Sequence, residues 1–219
     1  MVFAALCARG APKTDAVYHY LDPAGIDLTV LLPPPPDPGS SQERQDEAQV
    51  AAQVGARTSS ALVRAQGASH RDVFFFAPSV GDEFTASRFP ITAAFFKKIG
   101  SDVEKLTDAA KLHWDRPRPD GANKKRGSYP SGHAAFAAAA AIVLAELLPC
   151  KRDQIFRQAR RFAENRIILG LHYPSDVAAG WTAGTVAAFA MTDNAAFKRD
   201  LAAAGVELRR VCPSGTAAP

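Results

Sequence analysis

Cysteine is scarce in this chain: Cys7, Cys150 and Cys212 are the three cysteines among 219 residues. They form no CxxC pair and their spacings are wide, which excludes a cysteine-based zinc site and a small fold held by many disulfides. Two alternatives stay open for Cys150 and Cys212. They form one bridge if the chain is exported, or they are two free or buried thiols.

Long hydrophobic runs and strand patterns are also lacking. The longest apolar run starts at Ala134 and ends at Leu148, and Glu146 interrupts it. Because a helix that spans a bilayer needs roughly 20 apolar residues, we expect no membrane span. No stretch shows the alternation of apolar and polar residues that marks a half-buried strand. The sequence therefore predicts an all-α fold in one domain.

The excess of positive charge is small. The chain has 26 lysines and arginines against 22 acidic residues, a net charge of +4. An excess of this size suits a small anionic ligand. It is too weak to indicate a nucleic-acid partner, and we expect none.

The chain is predicted to have four parts. Residues 1–12 contain a short apolar stretch followed by Arg9, which is read either as the remnant of a signal peptide or as a disordered N-terminus. Residues 13–40 are predicted to be extended, because Pro33 to Pro36 cannot be helical. Residues 41–210 form the predicted helical domain, and residues 211–219 a flexible tail.

Helix boundaries follow from capping residues and prolines. Ser40 with Glu43 matches a capping box and predicts a helix that runs to about Arg64. Pro90 suits a first helical position, and the helix that it begins is predicted to carry Lys111 at its end. The sequence Arg116-Pro117-Arg118-Pro119 then stops this helix.

The second half of the chain predicts further helices. The alanine-rich stretch from Ala134 to Leu148 must be a helix that packs closely on several sides. Asp153 and Ser175 are expected to cap two later helices, and a last helix is predicted from about Asn194 to Ala204. Three small residues spaced four apart permit a close approach between helices: Gly180, Gly184 and Ala188.

Basic and imidazole side chains occur where these predicted helices begin or end. The three segments are Lys111 with Arg118-Pro119, then Pro130-Ser131-Gly132-His133, and finally Arg166 with His172 and Asp176. Two arginines and a lysine can gather a dianion, since guanidinium groups bind phosphate oxygens bidentately. The second segment opens a helix, so its free N–H groups and the helix dipole favour an anion. Gly132 lets the backbone come close to that anion.

The histidines add reactive groups to this predicted anion site. His172 is a candidate nucleophile, and Asp176 is placed to hold one of its ring nitrogens so that the other can attack. His133 is a second imidazole that can protonate a leaving oxygen. Together the three segments predict phosphoryl transfer chemistry.

The order Lys-x6-Arg-Pro, Pro-Ser-Gly-His and Arg-x5-His-x3-Asp resembles the signature of the type 2 phosphatidic acid phosphatase superfamily. That superfamily includes membrane lipid phosphatases, vanadium haloperoxidases and soluble bacterial class A acid phosphatases. The segment from Leu31 to Pro36 and the sequence Gly127-Ser128-Tyr129 before Pro130 look most like the class A group. The resemblance implies a helical bundle of the acid phosphatase and vanadium haloperoxidase type.

The resemblance also implies a role for each site residue. His172 would form a phosphohistidine, Asp176 would orient it, and His133 would protonate the departing alcohol and then activate water. The phosphoryl oxygens would be held by Lys111, Arg118, Ser131, Gly132 and Arg166. No metal and no other cofactor is expected, because three cations and a helix terminus supply the positive charge.

The expected substrates are small phosphate esters such as nucleotides, sugar phosphates or aryl phosphates. The resemblance further implies an acidic pH optimum, a periplasmic or secreted location, and a homo-oligomer as one option.

Two departures from the family pattern bear on this prediction. Asn165 stands where the family usually has serine before the third-segment arginine, and the loop from Pro119 to Pro130 is short. The alternatives are a vanadate-dependent haloperoxidase, for which the chain is small, and a non-catalytic phosphate-binding protein. A lipid diphosphatase is chemically possible, but this chain lacks the predicted membrane helices that usually deliver such substrates.

Overall fold

The computed structural model describes residues 17–22, 25–67, 70–121 and 127–212. Its α-helices are α1 (Leu28–Leu31), α2 (Ser41–Ala56), α3 (Ser59–Gly67), α4 (Ala77–Val80), α5 (Pro90–Trp114), α6 (Gly132–Leu147), α7 (Arg152–Ile168), α8 (Pro174–Met191) and α9 (Ala195–Leu208). Two 3-10 turns, Val73–Phe76 and Pro149–Lys151, complete the secondary structure. These ranges contain no strand, so the all-α prediction is confirmed. The predicted signal-peptide remnant, with Cys7, lies outside them.

Helix α6 forms the centre of the fold. Its alanines are almost all buried, and α5, α7 and α8 pack around it, while α9 packs against α5. A helix with such small side chains lets its neighbours approach closely on every side. None of the helices in the described ranges is both long and apolar enough to cross a lipid bilayer.

The contact between α6 and α8 depends on two glycines. A Cβ atom on Gly180 would lie 2.3 Å from the carbonyl oxygen of Ser131, and one on Gly184 would lie 2.0 Å from that of Ala135. These distances are far below van der Waals contact, so only glycine fits. The predicted close approach is confirmed, and it brings the N-terminal ends of α6 and α8 together.

The N-terminal segment packs along α5. The buried carboxylate of Asp102 accepts hydrogen bonds from the backbone N–H groups of His19, Tyr20 and Leu21. Residues 13–40 were predicted to be extended, but they contain one helical turn, α1, which is capped by Asp27. After it, the Tyr129 hydroxyl donates to the carbonyl of Pro33 at 2.5 Å, which ties the proline run to the loop before α6.

One predicted helix is wrong: the stretch from Ser40 to about Arg64 forms two helices. Ser40 caps α2 as predicted, but α2 ends at Ala56 because Arg57 has an extended backbone with ψ of 129°. The Thr58 hydroxyl then accepts the N–H of Ala61 and starts α3. Threonine competes for backbone hydrogen bonds in this way, which favours a new helix start over continuation.

Two predicted caps are also wrong. Asp153 lies in the first turn of α7, because the 3-10 turn before it makes Lys151 the N-cap. Ser175 lies inside α8, since Pro174 takes the first helical position and Tyr173 becomes the N-cap. Asn194 caps α9, where its side-chain oxygen accepts the N–H of Ala196 at 2.8 Å.

A disulfide joins Cys150 to Cys212 across 62 positions of sequence. It connects the 3-10 turn after α6 to the segment after α9. Of the two alternatives left open by the sequence, the bridge is the one observed.

Candidate active site

The last turn of α5 places Lys111 in the interior. The lysine is 6% exposed, and its Nζ lies 3.1 Å from Oδ1 of Asp108. Burial, followed by the nearby charges of Arg71 and Arg118, lowers the pKa of Lys111 to about 8. A buried cation next to other cations is poised to accept an anion.

Arg118 connects the first predicted segment to the third and to the loop that precedes α6. Its Nη1 donates to the carbonyl of Leu171 at 2.9 Å, and its Nη2 donates to that of Gly127 at 3.2 Å. The same Nη1 lies 3.0 Å from Nε2 of His172. Since an arginine can only donate, this contact assigns the lone pair of His172 to Nε2 and its proton to Nδ1.

His172 and Asp176 form a buried pair. Nδ1 of His172 lies 3.4 Å from Oδ2 of Asp176, which is long for a hydrogen bond but leaves the ring oriented by the carboxylate. Burial lowers the pKa of His172 to about 4, because desolvation of the charged ring outweighs the hydrogen bond and the charge of Asp176, which act in the opposite direction. The imidazole is therefore neutral across most of the pH range.

Asp176 stays ionised although it is fully buried. Burial raises the pKa of its carboxyl, but His172, the Arg116 guanidinium and the N–H of Tyr173 together hold that pKa below its ordinary value. Oδ1 accepts from Nη1 of Arg116 at 2.6 Å, and Oδ2 accepts the Tyr173 N–H at 2.9 Å. The second bond makes Asp176 part of the cap of α8.

The start of α6 is attached directly to this pair. Ser131 is its N-cap, with Oγ 3.4 Å from the N–H of Ala134, and its own N–H donates to the carbonyl of Asp176 at 2.9 Å. At Gly132, a Cβ atom would lie 3.2 Å from Nζ of Lys111. His133 follows in the first turn, half-buried, with its ring centroid 5.9 Å from that of Phe162.

Arg166 comes from the last turn of α7 and is 7% exposed. Within the described part of the chain, its Nε and Nη1 are buried without a hydrogen-bond partner, and so is Nε of Arg118. Burial, followed by the charges of Arg118 and Arg71, lowers the pKa of Arg166 to about 10. Because buried donors are normally paired, these unpaired guanidinium nitrogens make the site a candidate for binding an anion.

Three residues to which the sequence assigned no role in the site support the pair of His172 and Asp176. Arg116 donates through Nη2 to Oδ2 of Asp46 at 3.0 Å, while its Nη1 holds Asp176. Asp46, from α2, also accepts the Ser175 N–H at 3.2 Å and the Ser175 hydroxyl. No sequence signal points to Asp46, which lies 70 positions before Arg116.

Arg71 is a further missed residue. A Cβ atom on Gly132 would lie 3.2 Å from Nη1 of Arg71, at the same distance as from Lys111 Nζ. Its Nη2 forms an ion pair with Glu104 of α5. Arg71 lies just before a 3-10 turn and belongs to none of the three segments, so no motif indicated it.

One of the two departures from the family pattern, Asn165, directly precedes Arg166. Asn165 lines an open groove of about 740 Å³ together with Phe74, Phe75 and Gln158. The short loop includes residues 122–126, which are outside the described ranges.

Comparisons with known proteins identify relatives of this chain. Residues 92–199 match the PAP2 superfamily. The non-specific acid phosphatase of Providencia stuartii is 30% identical, over 96% of this chain and 92% of its own. The acid phosphatase of Zymomonas mobilis is 28% identical, over 90% of this chain and 80% of its own.

A solved structure shares the fold. The transmembrane PAP2 type phosphatidylglycerolphosphate phosphatase of Bacillus subtilis superposes with a TM-score of 0.53 at 22% identity, over 71% of this chain and 87% of that one. At that identity the likeness concerns the fold alone. The identity of 30% along nearly the whole of the Providencia enzyme goes further: the chain belongs to the PAP2 superfamily and is an enzyme of its acid phosphatase group.

Proposed function

We propose that this phosphatase hydrolyses phosphate monoesters through a phosphohistidine at His172, without a metal ion. The observation that carries the proposal is the pair of buried Arg166 nitrogens, Nε and Nη1, that have no hydrogen-bond partner and share their site with Lys111 and the neutral His172. A phosphoryl dianion would supply the missing acceptors. The nucleophile would already be in its reactive protonation state.

In the first step, Nε2 of His172 attacks phosphorus and the bond from phosphorus to the ester oxygen breaks. In this structure Arg118 donates to Nε2 of His172 at 3.0 Å. A bound phosphoryl oxygen would accept this hydrogen bond instead, so the lone pair of Nε2 would become available for attack. Asp176 stabilises the positive charge that develops on the ring. His133 gives its proton to the departing alkoxide, so the alcohol leaves neutral.

In the second step, His133 takes a proton from water and the resulting hydroxide attacks the phosphohistidine. The bond from nitrogen to phosphorus breaks, inorganic phosphate leaves, and His172 returns to its neutral form. Through both steps Lys111, Arg118 and Arg166 stabilise charge on the three equatorial oxygens. The N–H groups at the start of α6 add to this, since Ser131 and Gly132 open that helix.

Metal independence gives the first prediction. Turnover of p-nitrophenyl phosphate is expected to be unchanged after dialysis against EDTA, because protein cations hold the phosphoryl group. Vanadate is expected to inhibit competitively, since it forms a trigonal bipyramid in the same site. Activity that is lost in EDTA and restored by a divalent cation would contradict the proposal, and so would halide oxidation by the vanadate-loaded protein.

The pH dependence gives the second prediction. The acidic limb of kcat/KM is expected near pH 4, because below the pKa of His172 the protonated ring cannot attack. The basic limb is expected to reflect the loss of two protons: His133 must be protonated to release the alcohol, and near pH 8 Lys111 also loses its charge and phosphate binding weakens. Profiles for wild type and Lys111→Arg test the second assignment, because arginine stays charged. A basic limb that does not move in Lys111→Arg would contradict it.

We also propose that the substrates are small monoesters such as nucleotides, sugar phosphates and aryl phosphates, and that the enzyme is exported to the periplasm or secreted. The curated relatives are named non-specific acid phosphatases, which supports a broad substrate range. The disulfide between Cys150 and Cys212 supports export, since such bonds persist in oxidising compartments. A turnover screen over these ester classes tests the range.

A further inference from the structure

Arg71 lies at the candidate phosphate site although it belongs to none of the three motif segments. Its Nη1 and Nζ of Lys111 lie at the same distance, 3.2 Å, from the point that a Cβ atom on Gly132 would occupy. The Thr107 hydroxyl lies 3.3 Å from that point. Both cationic groups therefore lie beside the glycine that opens α6.

The other edge of the guanidinium is held in place. Nη2 of Arg71 pairs with Oε1 of Glu104, and the side chains of the two residues are 24% and 44% exposed. Glu104 precedes Lys111 by seven residues on α5, which is two helical turns, so the two side chains share one face of the helix. One edge of the guanidinium thus binds α5 and leaves the other edge for the site.

The backbone around Arg71 is also anchored. The next residue, Asp72, caps the following 3-10 turn by accepting the N–H of Phe74 at 2.8 Å. That turn inserts Val73 and Phe76 into the core, where they are 1% and 0% exposed. Arg71 is therefore fixed by a buried turn as well as by its carboxylate partner, and ordering it on a ligand costs little conformational entropy.

We propose that Arg71 is a fourth phosphate-binding residue, which contacts the same phosphoryl group as Lys111, and that Glu104 is its positioning residue. This inference rests on the proposed function, because it assumes that Lys111 and Gly132 bind the phosphoryl group of the substrate. It extends the cation set of the site beyond the three segments. It also explains the use of a carboxylate next to an anion site, since Glu104 directs one edge of the guanidinium inward.

The test compares Arg71→Gln and Arg71→Lys with wild type, and the matched control is Arg88→Gln. Arg88 also forms an ion pair with a glutamate, Glu83 at 3.3 Å, but both side chains are at least half exposed. Competitive inhibition by inorganic phosphate and by pyrophosphate is measured with p-nitrophenyl phosphate as substrate. Thermal midpoints establish that each variant is folded.

Arg71→Gln is expected to weaken inhibition by inorganic phosphate about 10-fold, which is the size of one charge-assisted hydrogen bond. Arg71→Lys is expected to recover part of that loss, and Arg88→Gln to change nothing. The inference would be overturned if Arg71→Gln is folded and its inhibition constant for inorganic phosphate is within twofold of the wild-type value. Weaker inhibition by pyrophosphate alone would also overturn it, because Arg71 would then bind a second phosphoryl group.

The inference and the proposed function can fail separately. If wild type is active and Arg71→Gln has unchanged inhibition by phosphate, the phosphatase proposal stands and Arg71 is not a phosphate-binding residue. If wild type has no turnover, phosphate binding is measured directly by titration calorimetry. A loss of binding in Arg71→Gln then supports the ligand role while the proposed reaction fails, and unchanged binding overturns the ligand role as well.

Discussion

Replacement of His172 by alanine is expected to lower kcat for p-nitrophenyl phosphate on the order of 10⁴-fold or more, because no phosphohistidine can form. Affinity for inorganic phosphate is expected to persist, since Arg166 and Lys111 do not depend on the imidazole for their positions. Asp176 keeps its bonds to Arg116 and to the Tyr173 N–H. The variant should therefore fold and bind without turning over.

His113→Ala is the matched control for this experiment. His113 is exposed in the last turn of α5, two residues after Lys111, and its ring packs edge-on against Trp114. Its removal is expected to leave kcat within twofold of wild type. Substantial residual turnover in His172→Ala, at more than a few per cent of wild type, would show that another group attacks phosphorus.

Gly184→Ala is expected to cause the largest loss of stability of any single methyl group added to this fold. The new Cβ atom would lie 2.0 Å from the carbonyl oxygen of Ala135 and 2.7 Å from its carbonyl carbon. These are backbone atoms of α6, so relief requires α6 and α8 to separate along their length. We expect the free energy of unfolding to fall by roughly 3 kcal/mol or more, measured by urea denaturation with the disulfide intact.

The matched control is Gly55→Ala in α2. A Cβ atom on Gly55 would have no atom within 4 Å, and the residue lies inside a helix. Alanine there is expected to raise the free energy of unfolding by roughly 0.5 kcal/mol, because it restricts the unfolded chain. Equal stability of Gly184→Ala and wild type would mean that α6 and α8 pack less closely than the structure shows.

Helix positions were largely predictable where a local signal was strong. Pro90 began α5 as predicted, and Ser131 and Asn194 lie at the caps of α6 and α9. The break between α2 and α3 was missed, although Gly55 lies near the end of α2 and Thr58, a residue type that favours helix starts, caps α3. Such a break depends on a single hydroxyl. Its effect is decided by whether the nearby backbone N–H groups bond to that hydroxyl or continue the helix.

The candidate site was predictable in a different way. Lys111, Arg118, Gly132, Arg166 and His172 belong to segments whose residue types and spacing indicate phosphoryl chemistry without any knowledge of the fold. Their convergence could be expected because each segment lies where a helix begins or ends. The residues that hold them could not be predicted in the same way, because their partners are far away in sequence.

By itself, then, the sequence indicated that the protein is helical, predicted no membrane span, and predicted that its three motif segments carry phosphoryl chemistry. Only the tertiary structure showed that Asp46 holds Arg116 and that Arg71 meets Lys111 beside Gly132. It also decided between a disulfide and free thiols. The physical reason is range: caps, turns and motif spacing act over a few residues, whereas these contacts arise only when packing around α6 brings distant segments together.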